Sequence, residues 1–91
     1  MRIDQVHLHD WCFLYIDGEL VYHHHDSLSG SAWETLEPLL YKLGIETHDW
    51  TPEDEDAYKT LAEMTNWRRV GPPQKFEDME VFVVEGYGGY F

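Results

Sequence analysis

Residues 11–25 read Trp-Cys-Phe-Leu-Tyr-Ile-Asp-Gly-Glu-Leu-Val-Tyr-His-His-His, and this stretch decides the fold. Asp17-Gly18 stands between two apolar runs, which is the strongest short-range signal for a β-hairpin. A type I′ turn needs positive φ at both central residues, and Asp-Gly tolerates that conformation. The predicted register pairs Ile16 with Glu19, Tyr15 with Leu20, Leu14 with Val21, Phe13 with Tyr22, Cys12 with His23 and Trp11 with His24.

Both faces of this hairpin are apolar. An antiparallel sheet with one face in water should alternate apolar and polar residues, so both faces here need cover. If the helices cover only one face, the aromatic face remains exposed and becomes a partner or dimer surface. The predicted aromatic surface consists of Trp11, Phe13, Tyr15 and Tyr22.

The rest of the chain adds two helices and further strands. Residues 1–10 predict a weak first strand, and residues 45–50 a short link or edge strand. Helical spacing predicts a helix over 32–43, broken or bent at Pro38. Thr51-Pro52, followed by acidic residues, predicts a second helix over 52–66. Residues 70–78 are expected to form a loop, and 79–85 a strand buried on both sides. The predicted fold is α+β: an antiparallel sheet with two helices mainly on one face, in a single domain spanning 1–91.

Charge is the sharpest global property. Eighteen Asp and Glu oppose six Lys and Arg among 91 residues, which gives a net charge of −12. Such a chain repels nucleic acid and anionic lipid and attracts basic partners. The single cysteine, Cys12, allows no intrachain disulfide, and no secretory signal or membrane-length apolar run is seen. The expected compartment is the cytoplasm.

A pattern in the first half of the chain resembles a family of short uncharacterised bacterial and phage-encoded proteins. In that family a hairpin is followed by a Ser-Leu-Ser turn and a helix that ends in Leu-Gly-Ile. The matching residues are Trp11, Leu14-Tyr15, Asp17-Gly18, Leu20-Val21, Ser27-Leu28-Ser29 and Leu43-Gly44-Ile45. The resemblance implies a phage-type role, such as anti-defence or modulation of a host, and carries no catalytic residue.

Acidic residues predict a second surface. Residues 53–56 form the densest charge run, at the start of the second predicted helix. They either stabilise the helix dipole in solvent or belong to an acidic ridge that imitates the phosphates of nucleic acid. The predicted ridge consists of Glu46, Asp49, Glu53, Asp54, Glu55, Asp56 and Glu63.

Histidines offer an alternative site. The chain has six, and His-x-His units occur at residues 7–9 and 23–25. If those strands pair, the imidazoles could bind Zn²⁺ or another transition metal, although partly exposed polar residues that close a hairpin and lead into a turn are the more ordinary explanation. The predicted metal ligands are His7, His9, His23 and His25.

Signatures of an enzyme are not seen, since no nucleophile elbow, phosphate-cradling glycine loop or catalytic metal motif is present. The sequence therefore favours a small acidic protein-binding module, an inhibitor that blocks the basic, nucleic-acid-binding surface of a host protein. No cofactor is expected. The alternatives are a histidine-based metal-binding or ligand-sensing protein, and an accessory homodimer without an inhibitory role. Under each of these functions, an uncovered apolar face predicts a homodimer centred on the aromatic face or on the edge of the 79–85 strand.

Overall fold

The computed structural model shows a mixed five-stranded sheet with helices on both faces. It describes residues 1–8, 11–25, 31–65 and 71–86. The side chains of residues 24–25 and 31–35 lie outside this description. The strand order is β3-β2-β1-β4-β5, where β1 and β4 are parallel and the other neighbours antiparallel. The elements are β1 (Arg2–His7), β2 (Trp11–Ile16), β3 (Glu19–His25), α1 (Ser31–Lys42), β4 (Glu46–Pro52), α2 (Glu55–Met64), α3 (Phe76–Met79), a 3₁₀ turn (Glu80–Phe82) and β5 (Val83–Glu85).

The predicted α+β class is confirmed, but the sheet is mixed rather than purely antiparallel. In a three-stranded meander, β3 runs parallel to β1. Helix α1 then carries the chain back across the sheet, and a helical crossover of this kind returns the next strand in the parallel direction. Strand β4 consequently pairs in parallel with β1 and becomes an inner strand, instead of the link or edge predicted for 45–50.

The hairpin turn forms as predicted, but the register beyond it is wrong. Asp17 has φ 49° and Gly18 has φ 82°, as a type I′ turn requires. Ile16 pairs with Glu19 and Tyr15 with Leu20. A β-bulge at Val21 then shifts every later pair by one residue. Leu14 therefore faces Tyr22, Phe13 faces His23, Cys12 faces His24 and Trp11 faces His25.

The main core lies on one face of the sheet, called the α2 face. Val6, Phe13 and Trp50 share this face because they are register partners across neighbouring strands. Leu61 of α2 packs onto them together with Phe76 and Met79 of α3. Burying a large apolar side chain contributes about 1.5–3 kcal/mol, so this cluster is the chief source of stability.

The opposite face, called the α1 face, carries Ile3, Gln5, His7 and Cys12, all buried. Helix α1 contacts β4, and the groove beside it is lined by Tyr41 and by Thr47, the register partner of Ile3. The two long helices therefore lie on opposite faces, and their predicted placement on one face is wrong. The physical reason is that both faces of the hairpin are apolar, so each face needs a helix to cover it.

Three helical boundaries differ from the predictions. Helix α1 is continuous through Pro38, so the predicted break there is wrong, whereas the alternative of a bend stays a prediction. Helix α2 begins at Glu55, capped by Asp54, because β4 extends through Pro52. Residues 76–82 are helical, so the predicted strand over 79–85 shortens to Val83–Glu85. Asn66, the predicted end of the second helix, lies outside the described residues.

Candidate acidic binding surface

Two helical segments on the α2 face expose a group of carboxylates, here called the acidic surface. The first segment is the start of α2, where Asp54 accepts a hydrogen bond from the Ala57 amide at 2.8 Å. Carboxylates in a first turn are also stabilised by the helix dipole. The second segment is α3 with its 3₁₀ turn. The acidic surface consists of Glu53, Asp54, Glu55, Asp56, Glu77, Asp78 and Glu80, all exposed.

Local packing explains why these carboxylates point outward and lie near each other. Phe76 and Met79 bury themselves in the core, so the two acids between them in sequence face solvent. The Glu53 amide donates to the Phe82 carbonyl at 3.0 Å, which joins the start of α2 to the 3₁₀ turn that begins at Glu80. Val81 is 66% exposed among these acids. The sequence analysis missed the second segment because the apolar run after Met79 was interpreted as a strand.

The predicted ridge is brought together only in part. Residues 53–56 lie on the acidic surface, but Glu46 and Asp49 occupy opposite faces of β4 because they are an odd number of positions apart. Glu46 is also seven residues from Glu53, about 23 Å along an extended strand. Glu63 lies at the other end of α2, about 12 Å from Glu55 along the helix axis.

An open depression of about 460 Å³ adjoins the acidic surface at Glu77 and Glu80. Asp4 is 1% exposed at its side, where its carboxylate accepts hydrogen bonds from the Arg2 Nε at 2.9 Å and from the Trp50 Nε1 at 2.8 Å. The hydrogen bond that Arg2 donates to the Asp4 carboxylate raises the pKa of Arg2. The ion pair between Arg2 and Asp4 therefore forms part of the wall of the depression. The lining residues are Arg2, Asp4, Asp17, Gly18, Phe76, Glu77 and Glu80.

A second ionic cluster surrounds His48 on β4. Its Nδ1 lies 2.5 Å from Glu85 Oε1 and its Nε2 lies 2.8 Å from Glu46 Oε2. The hydrogen bond to Glu85 is the largest cause of a raised pKa for His48, and the hydrogen bond to Glu46 raises it further. The sequence analysis did not single out His48, because Glu85 lies 37 residues away along the chain and only the fold brings the two together.

The predicted histidine metal site does not assemble as proposed. β2 separates β1 from β3, so the two His-x-His strands are not neighbours. The bulge at Val21 places His23 beside Phe13 on the α2 face, whereas His7 lies on the α1 face with its Nε2 2.9 Å from Asp49 Oδ1. Within residues 1–8, 11–25, 31–65 and 71–86, no three His, Cys, Asp or Glu side chains are grouped to hold a metal. His9 and the side chain of His25 lie outside the described residues.

The predicted aromatic surface is mostly interior. Phe13 and Tyr15 are completely buried, and Tyr15 donates to the Pro73 carbonyl at 2.7 Å. Trp11 is half-buried, and its indole N–H donates to His23 Nδ1 at 3.3 Å. Tyr22 lies on the α1 face because of the bulge. The four residues therefore do not form an exposed surface, since α2 and α3 cover the face that was expected to be bare. The homodimer itself stays a prediction.

Comparisons with protein-family models, with curated proteins and with solved structures found no match. The resemblance to short bacterial and phage-encoded proteins therefore stays a prediction. Among the described residues, no helix has the length and apolar character needed to cross a membrane.

Proposed function

We propose that this chain is a non-enzymatic binding module whose acidic surface occupies the basic, nucleic-acid-binding surface of another protein, as a phage-type inhibitor would. It acts in the cytoplasm, where a buried thiol such as that of Cys12, the single cysteine of the chain, stays reduced. The chain itself does not bind nucleic acid, because its charge repels phosphates. The observation that carries the proposal is the group of seven exposed carboxylates on two joined helical segments.

Among the described residues, the cations beside this surface are fewer than its seven carboxylates. Lys59 lies 3.6 Å from Glu55, and both side chains are more than two-thirds exposed, so solvent screens the pair. Lys75, the N-cap residue of α3, lies close to Glu77, but its ammonium is bonded to Glu19 on the hairpin at 2.5 Å. Because phosphate contacts dominate the affinity of proteins for nucleic acid, carboxylates on a rigid scaffold can compete for the same Lys and Arg side chains. Helices α2 and α3 supply that rigid scaffold through their buried core residues.

Two charge reversals, one on each segment, test this proposal. Glu53→Lys changes the start of α2 and Glu77→Lys changes α3. Glu63→Lys is the matched control, because it alters the net charge equally but lies at the far end of α2. About 12 Å along the helix exceeds the Debye length of about 8 Å at physiological salt, so a partner at the acidic surface should feel this control weakly. Exposed substitutions of this kind typically change stability by only about 0.5 kcal/mol.

Each variant is immobilised and used to capture proteins from a bacterial lysate across a salt gradient, and the captured protein is then competed with duplex DNA. We expect the wild-type chain and Glu63→Lys to retain a nucleic-acid-binding protein that salt and DNA displace. Glu53→Lys and Glu77→Lys should lose it. If the captured protein is retained equally by both reversed variants and is displaced by neither salt nor DNA, the proposed function is contradicted.

A further inference from the structure

The cluster around His48 joins three strands at one end of the sheet. His48 is on β4 and bonds Glu46 on its own strand and Glu85 on β5. From β1, Arg2 lies 3.5 Å from Glu46, and Asp4 is the register partner of His48. The Trp50 ring lies 6.5 Å from the imidazole. Two carboxylates therefore favour the imidazolium, whereas the positive charge of Arg2 opposes it.

Strand β5 has few other attachments to the sheet. It is three residues long and lies at the edge, paired only with β4 in the described part of the chain. Val83 is buried in the core, but Val84 and Glu85 are exposed. The Gly86 amide adds one hydrogen bond, to the Asp49 carbonyl at 2.8 Å. Short edge strands with exposed side chains are among the first elements to open locally.

We propose that His48 is a pH-sensitive clamp that holds β5 on the sheet when its imidazole is protonated and loosens this strand when it is neutral. A protonated imidazole donates from both nitrogens and can bond both carboxylates at once. The neutral ring keeps one N–H, so one of the two contacts then sets two acceptors against each other. Even when that N–H stays on Nδ1 toward Glu85, the bond to β5 is weaker because the imidazole no longer carries a charge. The clamp operates whether or not the acidic surface binds a partner.

The direction of the pH effect follows from the raised pKa of His48, caused first by the hydrogen bond to Glu85 and then by that to Glu46. A group whose pKa is higher when folded than when unfolded stabilises the folded state fully below its unfolded value, about 6.5 for histidine. This contribution is lost as the pH rises through the higher folded value. Strand β5 is therefore held most firmly in mildly acidic conditions and least firmly in alkaline ones.

NMR of the full chain tests the clamp with two readouts. The first is the titration of the His48 ring in the wild type and in Glu85→Gln, with Glu55→Gln as the control because Glu55 pairs with Lys59 on α2 instead. We expect Glu85→Gln to move the His48 titration to lower pH and Glu55→Gln to leave it unchanged. An unchanged titration in Glu85→Gln would overturn the proposal.

The second readout is native-state exchange of the Gly86 amide, corrected for the intrinsic rate at each pH. The reference is the Phe76 amide, which donates to the Gly18 carbonyl at 2.8 Å, away from β5. Protection of Gly86 should fall through the His48 titration while protection of Phe76 holds, and His48→Gln should abolish this pH dependence. If Gly86 and Phe76 change together, or Gly86 does not change, the clamp is refuted.

Discussion

The buried carboxylate of Asp4 provides the sharpest test of what holds the sheet together. It accepts hydrogen bonds from Arg2 at 2.9 Å and from Trp50 at 2.8 Å while only 1% exposed. Asp4→Leu leaves the Trp50 N–H buried without an acceptor, which costs about 1–3 kcal/mol. The Arg2 side chain is 43% exposed and can turn to water, so its lost ion pair adds about 1 kcal/mol or less. The expected loss of stability is therefore about 1–4 kcal/mol.

A double-mutant cycle isolates the contact between these two side chains. Trp50→Phe removes the donor and should cost about 1.5–3 kcal/mol, since the acceptor is charged. In Asp4→Leu with Trp50→Phe, neither partner remains unpaired, so the double variant should be more stable than the sum of the single losses by about 1–2 kcal/mol.

Urea unfolding followed by far-UV circular dichroism measures all four proteins. With a slope of roughly 1.5 kcal/mol per molar urea, Asp4→Leu should lower the midpoint by about 0.7–2.7 M. Single losses that add to within about 0.5 kcal/mol would show that the two side chains are not coupled, and would refute this reasoning.

Three further predictions concern the turn, the core and assembly. Gly18→Val should destabilise the chain by about 1–2 kcal/mol in urea unfolding because Gly18 has φ 82°, whereas Gly71→Ala, in open space, should be nearly neutral. Leu61→Ala should lower the free energy of unfolding by about 2–5 kcal/mol, since Leu61 is fully buried. Leu43→Ala is the control and should change it little, since Leu43 is 74% exposed. Similar losses of stability in the two variants would show that Leu61 does not lie in the core. Light scattering at micromolar concentration should report the predicted homodimer, and a monomer mass throughout would rule it out.

Local chemistry made parts of this fold predictable from the sequence. The Asp17-Gly18 turn depends on two adjacent residues, and it forms as expected. The α+β class followed from the mixture of hairpin and helical spacing. The acidic run at residues 53–56 was found because its members are consecutive, and the structure leaves all four exposed.

Contacts between distant segments made the remainder unpredictable. The bulge at Val21 reverses the faces of later β3 residues, and nothing in the local alternation marks it. The run after Met79 has strand propensity, yet Phe76 and Met79 anchor a helix by packing under α2. Glu77, Asp78 and Glu80 therefore joined the acidic surface unforeseen. The contact between His48 and Glu85 was unforeseen for the same reason, because the fold brings Glu85 from another strand.

The bulge at Val21 has a consequence for how this molecule survives at high concentration. Strand β3 is an outer strand, and a regular outer strand is a template on which another chain can add its own backbone and begin an aggregate. Residues 74–76 already cover the start of this edge, where the Leu20 amide donates to the Gln74 carbonyl at 2.8 Å. Beyond that contact, the extra residue interrupts the even spacing of outward amides and carbonyls and increases the local twist. The residue that reverses the faces of β3 thus also disfavours regular pairing of another chain along the rest of this edge.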